Sequence, residues 1–520
     1  MPESGGVSDT SSGDLSATAM NDVCIAIVGR SYGDLADESL WGGSLDSMEI
    51  VHLIAAVAER SSTTITAAQL EDITTLRSLV ELARVSDGAT NGSVREPVPP
   101  SLSRSDSLRV LPNRPRYFLR RTKALDHWLL QSRLLRTRAP LNRIALERAS
   151  TELVARHDGL RLRADLSSGE YLEYLVESHS AAPFVSIEVP AGSTDECYEA
   201  SALEAVREVT ATFSLQDQPF RVVALGSPRR EYDFVVVIAH HLLVDGIAMR
   251  QIRRELEGLY YGERFDDPST SFRDYVSARF AFWERHTEIA ARYVQSLPWS
   301  DAEISLPVVS PATGPAYGSE LSTHSTQVNL GRWDSCARQS SSMQTVESVL
   351  IACALAIRDR TGQDVVQIDV LFHGRSTLAP NIDVSRTVGW LSEMIPILVR
   401  ADTGSLGRRF VRDQLRWASR FGTGLGHLAL AGSGPAPSVL SLNAVLPEVK
   451  AVPESRLVSP TRAIPTPPAA QNAWRVYAAS AGVFVEGDLL ILAWDWGDAL
   501  ADELVHEFAR RCATWFRLLE

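Results

Sequence analysis

Apolar positions recur along this chain with two different periods, and the change between them divides it. The segments NDVCIAIVGRSYGDL (21–35) and SMEIVHLIAAVAER (47–60) place apolar residues at helical spacing, with Ile50, Leu53, Ile54 and Val57 marking one face of the second. LRSLVELARV, from Leu76, repeats the pattern. Together they predict a small all-helical unit over 21–85, near the lower size at which one core can hold a domain together. Residues 1–20 are rich in Ser, Gly and Thr and almost free of large apolar side chains, which predicts a disordered leader. A short docking element for another protein is the alternative. Residues 86–107 are dominated by Gly, Ser, Asn and Pro and read as a linker, stiffest across Pro97–Pro100.

From 108 onward helical and strand patterns alternate, which predicts an α/β or α+β domain. ALDHWLLQSRLLR (124–136), ERASTELVARHDGL, IAMRQIRRELEGLYY, VESVLIACALAIRDR and the closing ADELVHEFARRCATWFRLL read as helices. DFVVVIA (233–239) is a continuous β-branched apolar run, the pattern of a strand buried on both faces. VVQIDVLF, PSVLSLNAV and GDLLILAWDW read as further strands. No short-period repeat is visible, and the length suggests two lobes, 108–270 and 271–520.

Composition narrows the class. With 45% hydrophobic and 22% charged residues, the chain has the make-up of a soluble globular protein. A net charge of −13 argues against nucleic acid as a partner. Five scattered cysteines form no CxxC pair and read as reduced thiols. No signal-peptide pattern or bilayer-length apolar run is present, so a cytoplasmic location without membrane contact is expected. Charge is uneven. Residues 20–85 hold ten acidic side chains against four arginines, whereas 101–150 hold twelve basic against three acidic. The basic stretch reads either as a docking face for an acidic partner or as a solvated helix surface.

Two segments carry candidate chemistry. In LWGGSLDSMEIVHL, Ser47 follows Asp46 and a Gly-rich loop and opens a helix, where the dipole favours an attached phosphate. A plain N-cap serine has the same local appearance. In HHLLVDG (240–246), two histidines, an aspartate and a glycine follow directly on the buried strand, at the sheet edge where a channel can form. A metal site or satisfied core histidines are the competing readings.

LDSMEIVHL resembles the attachment segment of acyl and peptidyl carrier proteins. The resemblance implies 4'-phosphopantetheine attached to Ser47. HHLLVDG resembles the HHxxxDG motif of condensation domains and of the wider chloramphenicol-acetyltransferase-like superfamily. LVARHDGLRLR (153–163), SFRDYV (271–276), DVLFHGRS (369–376), SRTVGWLSEMIPI (385–397) and SVLSLNAV (438–445) match further family segments in order, so this likeness spans most of 108–520. The two resemblances together imply a non-ribosomal peptide synthetase carrier–condensation didomain. Its fold would be a small all-α carrier bundle followed by two acetyltransferase-like lobes in a V.

By resemblance, His241 is the base that takes a proton from an acceptor amine or hydroxyl as it attacks a carrier-bound thioester, forming an amide or an ester. His240 is structural. Asp245 pairs with an arginine, for which Arg375 is the candidate. Gly246 allows a tight turn, and its N–H is placed to polarise the thioester carbonyl. Epimerisation domains share the histidine motif but carry a glutamate two residues before the HGR histidine, where this chain has Leu371. A leucine cannot move a proton at an α-carbon. The remaining alternative is a non-catalytic platform that recruits other enzymes. No adenylation-type phosphate loop is visible. The partners implied are therefore other carrier proteins or synthetase modules in trans, a phosphopantetheinyl transferase, and a separate adenylation or acyl-loading enzyme.

Overall fold

A computed structural model describes residues 15–28, 30–37, 53, 56–57, 60, 75–87, 107–112, 129–131, 134–165, 172–176, 182–216, 219–266, 268, 270–302, 324–332, 342–375, 382–436, 438–445, 455–458, 477–497 and 500–520. Ser47, Ile50, Ile54 and Cys336 lie outside the described residues. The first described part is helical: α1 (Ala17–Val28), a single turn α2 (Tyr32–Leu35) and α3 (Leu76–Asp87). Leu53 and Val57, one helical turn apart, join Met20, Val23, Leu35, Leu76, Leu79 and Val80 in an apolar cluster of their own. Helix α1 starts inside the expected leader, because Leu15 and Met20 find cover in this cluster. The single helix expected over 21–35 is interrupted at Arg30 and Ser31. There the Ser31 Oγ accepts from Asp34 N at 3.2 Å and caps a new turn.

The next part contains β1 (Ser107–Leu108), β2 (Leu129–Gln131), β3 (Leu135–Arg136), α4 (Arg143–Arg156), β4 (Leu162–Asp165), β5 (Leu172–Leu175), β6 (Phe184–Glu188), α5 (Asp195–Ala211), β7 (Phe220–Gly226), β8 (Phe234–His240), α6 (Gly246–Tyr260), α7 (Phe272–Arg285) and α8 (Thr287–Gln295). One sheet has the order β2-β8-β7-β6, with β3 also on β8, and β1, β5 and β4 form a small second sheet. Every residue of β8 is buried, as its unbroken apolar run predicts. The helix expected over 124–136 is not formed at its described residues. Leu129–Gln131 and Leu135–Arg136 pair antiparallel with β8 instead. Without them that edge of β8 would expose unpaired backbone groups, and satisfying those outweighs the helix propensity of Leu, Gln and Arg.

The last part contains β9 (His324–Arg332), α9 (Ser342–Thr361), β10 (Val365–Phe372), β11 (Glu393–Arg400), α10 (Ser405–Phe421), α11 (Thr423–Leu430), β12 (Leu440–Val445), β13 (Ala479–Glu486), β14 (Leu489–Trp496) and α12 (Asp502–Leu519). The six strands run in the order β11-β10-β12-β13-β14-β9. β12 is parallel to both neighbours and the remaining pairs are antiparallel. Helices α9 and α12 pack together over this sheet, which brings the buried Cys353 and Cys512 sulfurs to 3.8 Å despite their distance in sequence. One apolar cluster runs through both parts, from Leu108 to Phe516. Backbone also crosses between them: Thr137 bridges Val458, and Glu257 on α6 accepts from Ser455 Oγ at 2.6 Å and Arg456 N at 2.6 Å. Among the described residues no helix is long and apolar enough to cross a membrane.

Candidate active site

The site is built where β8 ends. His240 closes the strand and is buried. Its backbone N donates to Pro219 O at 2.7 Å, and its Nδ1 accepts from Leu242 N at 3.0 Å. An accepting Nδ1 leaves the ring proton of the neutral imidazole on Nε2. The ring is thereby tied into the turn. His241 opens the turn that follows the strand and is half-buried. Its ring lies against Trp390, centroid to centroid 4.8 Å and tilted by 60°. Leu242, Leu243 and Val244 are buried and anchor the turn from below.

Asp245 is the N-cap of α6, its Oδ1 accepting from Ala248 N at 2.8 Å. The same carboxylate takes both ends of the Arg375 guanidinium, at 2.7 and 2.9 Å, and the backbone N–H groups of Leu391 (3.0 Å) and Ser392 (3.1 Å). Burial raises its pKa, but Arg375 and the converging N–H donors outweigh that and hold it below the usual carboxylate range. Arg375 is fully buried and also donates to His373 O at 3.2 Å. The turn that delivers it needs Gly374, whose φ is +66° and where a Cβ would sit 1.8 Å from Leu391 O. Gly246 is different from expectation. It is the first residue of α6, lacks a positive φ and has open space around it, so the turn is made by residues 240–245 and not by glycine freedom.

The segments singled out in the sequence converge here. Asp158 accepts from Phe272 N (2.8 Å) and Arg273 N (3.0 Å), so RHDGLR caps the helix begun by SFRDYV. Thr387 Oγ1 donates to Thr270 O at 2.8 Å. Glu255, fully buried on α6, meets His157 Nε2 at 2.8 Å, Gln251 Nε2 at 2.6 Å and Arg386 at 3.5 Å. Burial raises the Glu255 pKa, but the His157 contact and the Gln251 hydrogen bond outweigh it and bring the value to about 2. Leu371 pairs with Met394 at the end of β10, so two apolar side chains face each other in the register there.

Several partners are invisible in the sequence pattern. Arg279 and Glu393 form a buried ion pair. Tyr275 donates to Gly374 O at 2.8 Å and so joins that pair to the Arg375 turn. Arg279 Nε donates to His427 Nε2 at 3.3 Å, and desolvation with the Arg279 and Arg109 charges lowers the His427 pKa to about 3. A solitary arginine on the apolar face of α7, one turn after Tyr275, is the only signal that could have pointed to this cluster. Among the described residues no group of His, Cys, Asp or Glu is arranged to hold a metal ion.

Residues 113–429, more than half of the chain, match the family model described as condensation domain. The chain belongs to the condensation-domain family. It is 27% identical over 449 residues to one of the linear gramicidin synthase proteins of Brevibacillus parabrevis, a match covering 80% of this chain but only 8% of that protein. The chain thus spans under a tenth of that relative's length. Among solved structures, the epimerization domain from the third module of tyrocidine synthetase B superposes with a TM-score of 0.64 at 16% identity, covering 80% of this chain and 97% of that one. The condensation domain from the monacolin K polyketide synthase MokA gives 0.59 at 16% identity, covering 79% and 96%. These likenesses show the condensation-domain fold. Condensation domains are acyl-transferring enzymes of peptide synthetases and work alongside other synthetase modules.

Proposed function

We propose that this condensation domain transfers a carrier-bound acyl or aminoacyl group from a thioester to an acceptor amine or hydroxyl, with His241 as the base. The observation that carries the reading is the intact histidine turn, half-open at His241 and locked from behind by the buried Asp245–Arg375 pair. The acceptor nitrogen or oxygen attacks the thioester carbonyl, and the neutral His241 imidazole takes its proton. The carrier thiolate leaves and takes that proton from the His241 imidazolium, which returns the ring to its neutral form. A positioned base of this kind contributes roughly 10²–10⁴-fold. The open space at Gly246 leaves room for the substrate carbonyl beside the first turn of α6, where backbone N–H groups have no intrahelical partner.

The same proposal makes residues 21–85 a carrier domain that holds 4'-phosphopantetheine on Ser47, joined by the 86–107 linker to lobes 108–270 and 271–520. The arm would supply the thioester. This part rests on the LDSMEIVHL motif, with support from the acidic balance of the segment and the separate helical cluster around Leu53 and Val57. A phosphopantetheinyl transferase, an acyl-loading enzyme and a second carrier are the partners it requires. Epimerisation is the second reading, favoured by the HGR and SRTVGW segments. Leu371 and its apolar neighbour Met394 speak against it, and the nearby Glu393 is engaged by Arg279. The test is intact-protein mass after phosphopantetheinylation and acyl loading, followed by amine and alcohol acceptors, in wild type, Ser47→Ala and His241→Ala. The expected result is no loading in Ser47→Ala, and loading without transfer in His241→Ala. Full transfer by His241→Ala refutes the mechanism.

A further inference from the structure

The Asp245 carboxylate supports the base from two directions. Along the chain it ends the turn that begins at His241. Across space it holds the backbone N–H of Ser392 at 3.1 Å, and the Ser392 Oγ accepts from Trp390 Nε1 at 3.0 Å. Trp390 then closes the circuit by packing its ring on His241. The indole has little freedom. It is 4% exposed, and the residue before it, Gly389, accepts from Arg375 Nη2 at 3.4 Å and is crowded by Phe272, whose Cδ2 would lie 2.4 Å from a Cβ at that position. Thr387, three residues earlier, is tied to Thr270. A buried aromatic fixed at its own polar atom and on its backbone is a rigid surface, and a half-exposed imidazole leaning on it loses alternative rotamers.

We propose that Trp390 is a positioning residue that holds the His241 imidazole in the orientation needed to receive the acceptor's proton. The inference rests on the acyl-transfer reading for its kinetic consequence, but the positioning itself is independent of which reaction occurs. A base displaced by about 1 Å loses on the order of 10²-fold. Trp390→Ala should therefore lower kcat about 10- to 100-fold with KM for the carrier-bound substrate nearly unchanged. Trp390→Phe, which restores a ring at the contact but not the Ser392 bond, should recover most of that loss.

A second readout needs no turnover. Diethyl pyrocarbonate acylates a neutral imidazole nitrogen, and its rate at His241, followed by peptide mass spectrometry, should rise several-fold in Trp390→Ala. The rise should be smaller in Ser392→Ala and in Trp390→Phe, each of which keeps a ring against His241 but loses the indole anchor. An unchanged modification rate in Trp390→Ala, or a Trp390→Phe variant as impaired as Trp390→Ala, overturns the proposal. Failure of wild type to transfer any acyl group, with the modification rates responding as expected, overturns the acyl-transfer reading and leaves the positioning role standing.

Discussion

Separating the Asp245–Arg375 pair tests whether the site depends on a lock between the two parts of the domain. Asp245 is 3% exposed and Arg375 0%, so neither charge can turn to water when the other is removed. Removing one partner of such a pair typically costs about 3–5 kcal/mol. The two single variants should differ within that range. Arg375→Ala leaves the carboxylate with the N–H groups of Ala248, Leu391 and Ser392, so about 3 kcal/mol is expected. Asp245→Ala leaves the guanidinium with carbonyl acceptors only and also removes the α6 cap, so about 5 kcal/mol is expected. In the double variant neither charge remains, and its total should lie near 5 kcal/mol, well below the sum, for a coupling of about 3 kcal/mol. Urea unfolding followed by circular dichroism at pH 7 reads the cycle. Because the Asp245 pKa is depressed in the folded state, its contribution is fully present there and is lost only as pH falls below the unfolded value of about 3.9 and through the folded one. Additivity within about 0.5 kcal/mol would refute the buried-lock reasoning.

Glu255 makes a parallel prediction in acid. With a folded pKa of about 2 and an unfolded value of about 4.3, it contributes about 3 kcal/mol above pH 4.3 that is lost as pH falls toward 2. Glu255→Gln should flatten stability across that window, and an unchanged acid limb in pH-dependent urea melts would count against it. Gly374→Ala should destabilise by about 2–5 kcal/mol, since it combines a left-handed φ with a backbone oxygen 1.8 Å from the new carbon. Gly246→Ala should change stability by under about 0.5 kcal/mol, because nothing crowds that position, and thermal melts of the two glycine variants side by side decide it.

Much of the site is local in sequence and therefore legible there. A strand buried on both faces must read as an unbroken apolar run, and the turn that follows β8 is written in seven consecutive residues. Arg375 as the candidate partner of Asp245 could be named only through the HGR segment, yet 130 residues separate the two and tertiary packing alone sets their 2.7 Å contact. Leu129–Gln131 and Leu135–Arg136 show where local signals mislead: Leu, Gln and Arg suit a helix, but the open edge of β8 takes their backbone hydrogen bonds. The same limit hides the Arg279–Glu393 pair and the packing of Trp390 on His241. Periodicity reports which face of an element is apolar. Which buried polar groups meet across elements depends on how those faces stack, and that is decided only when the whole core closes.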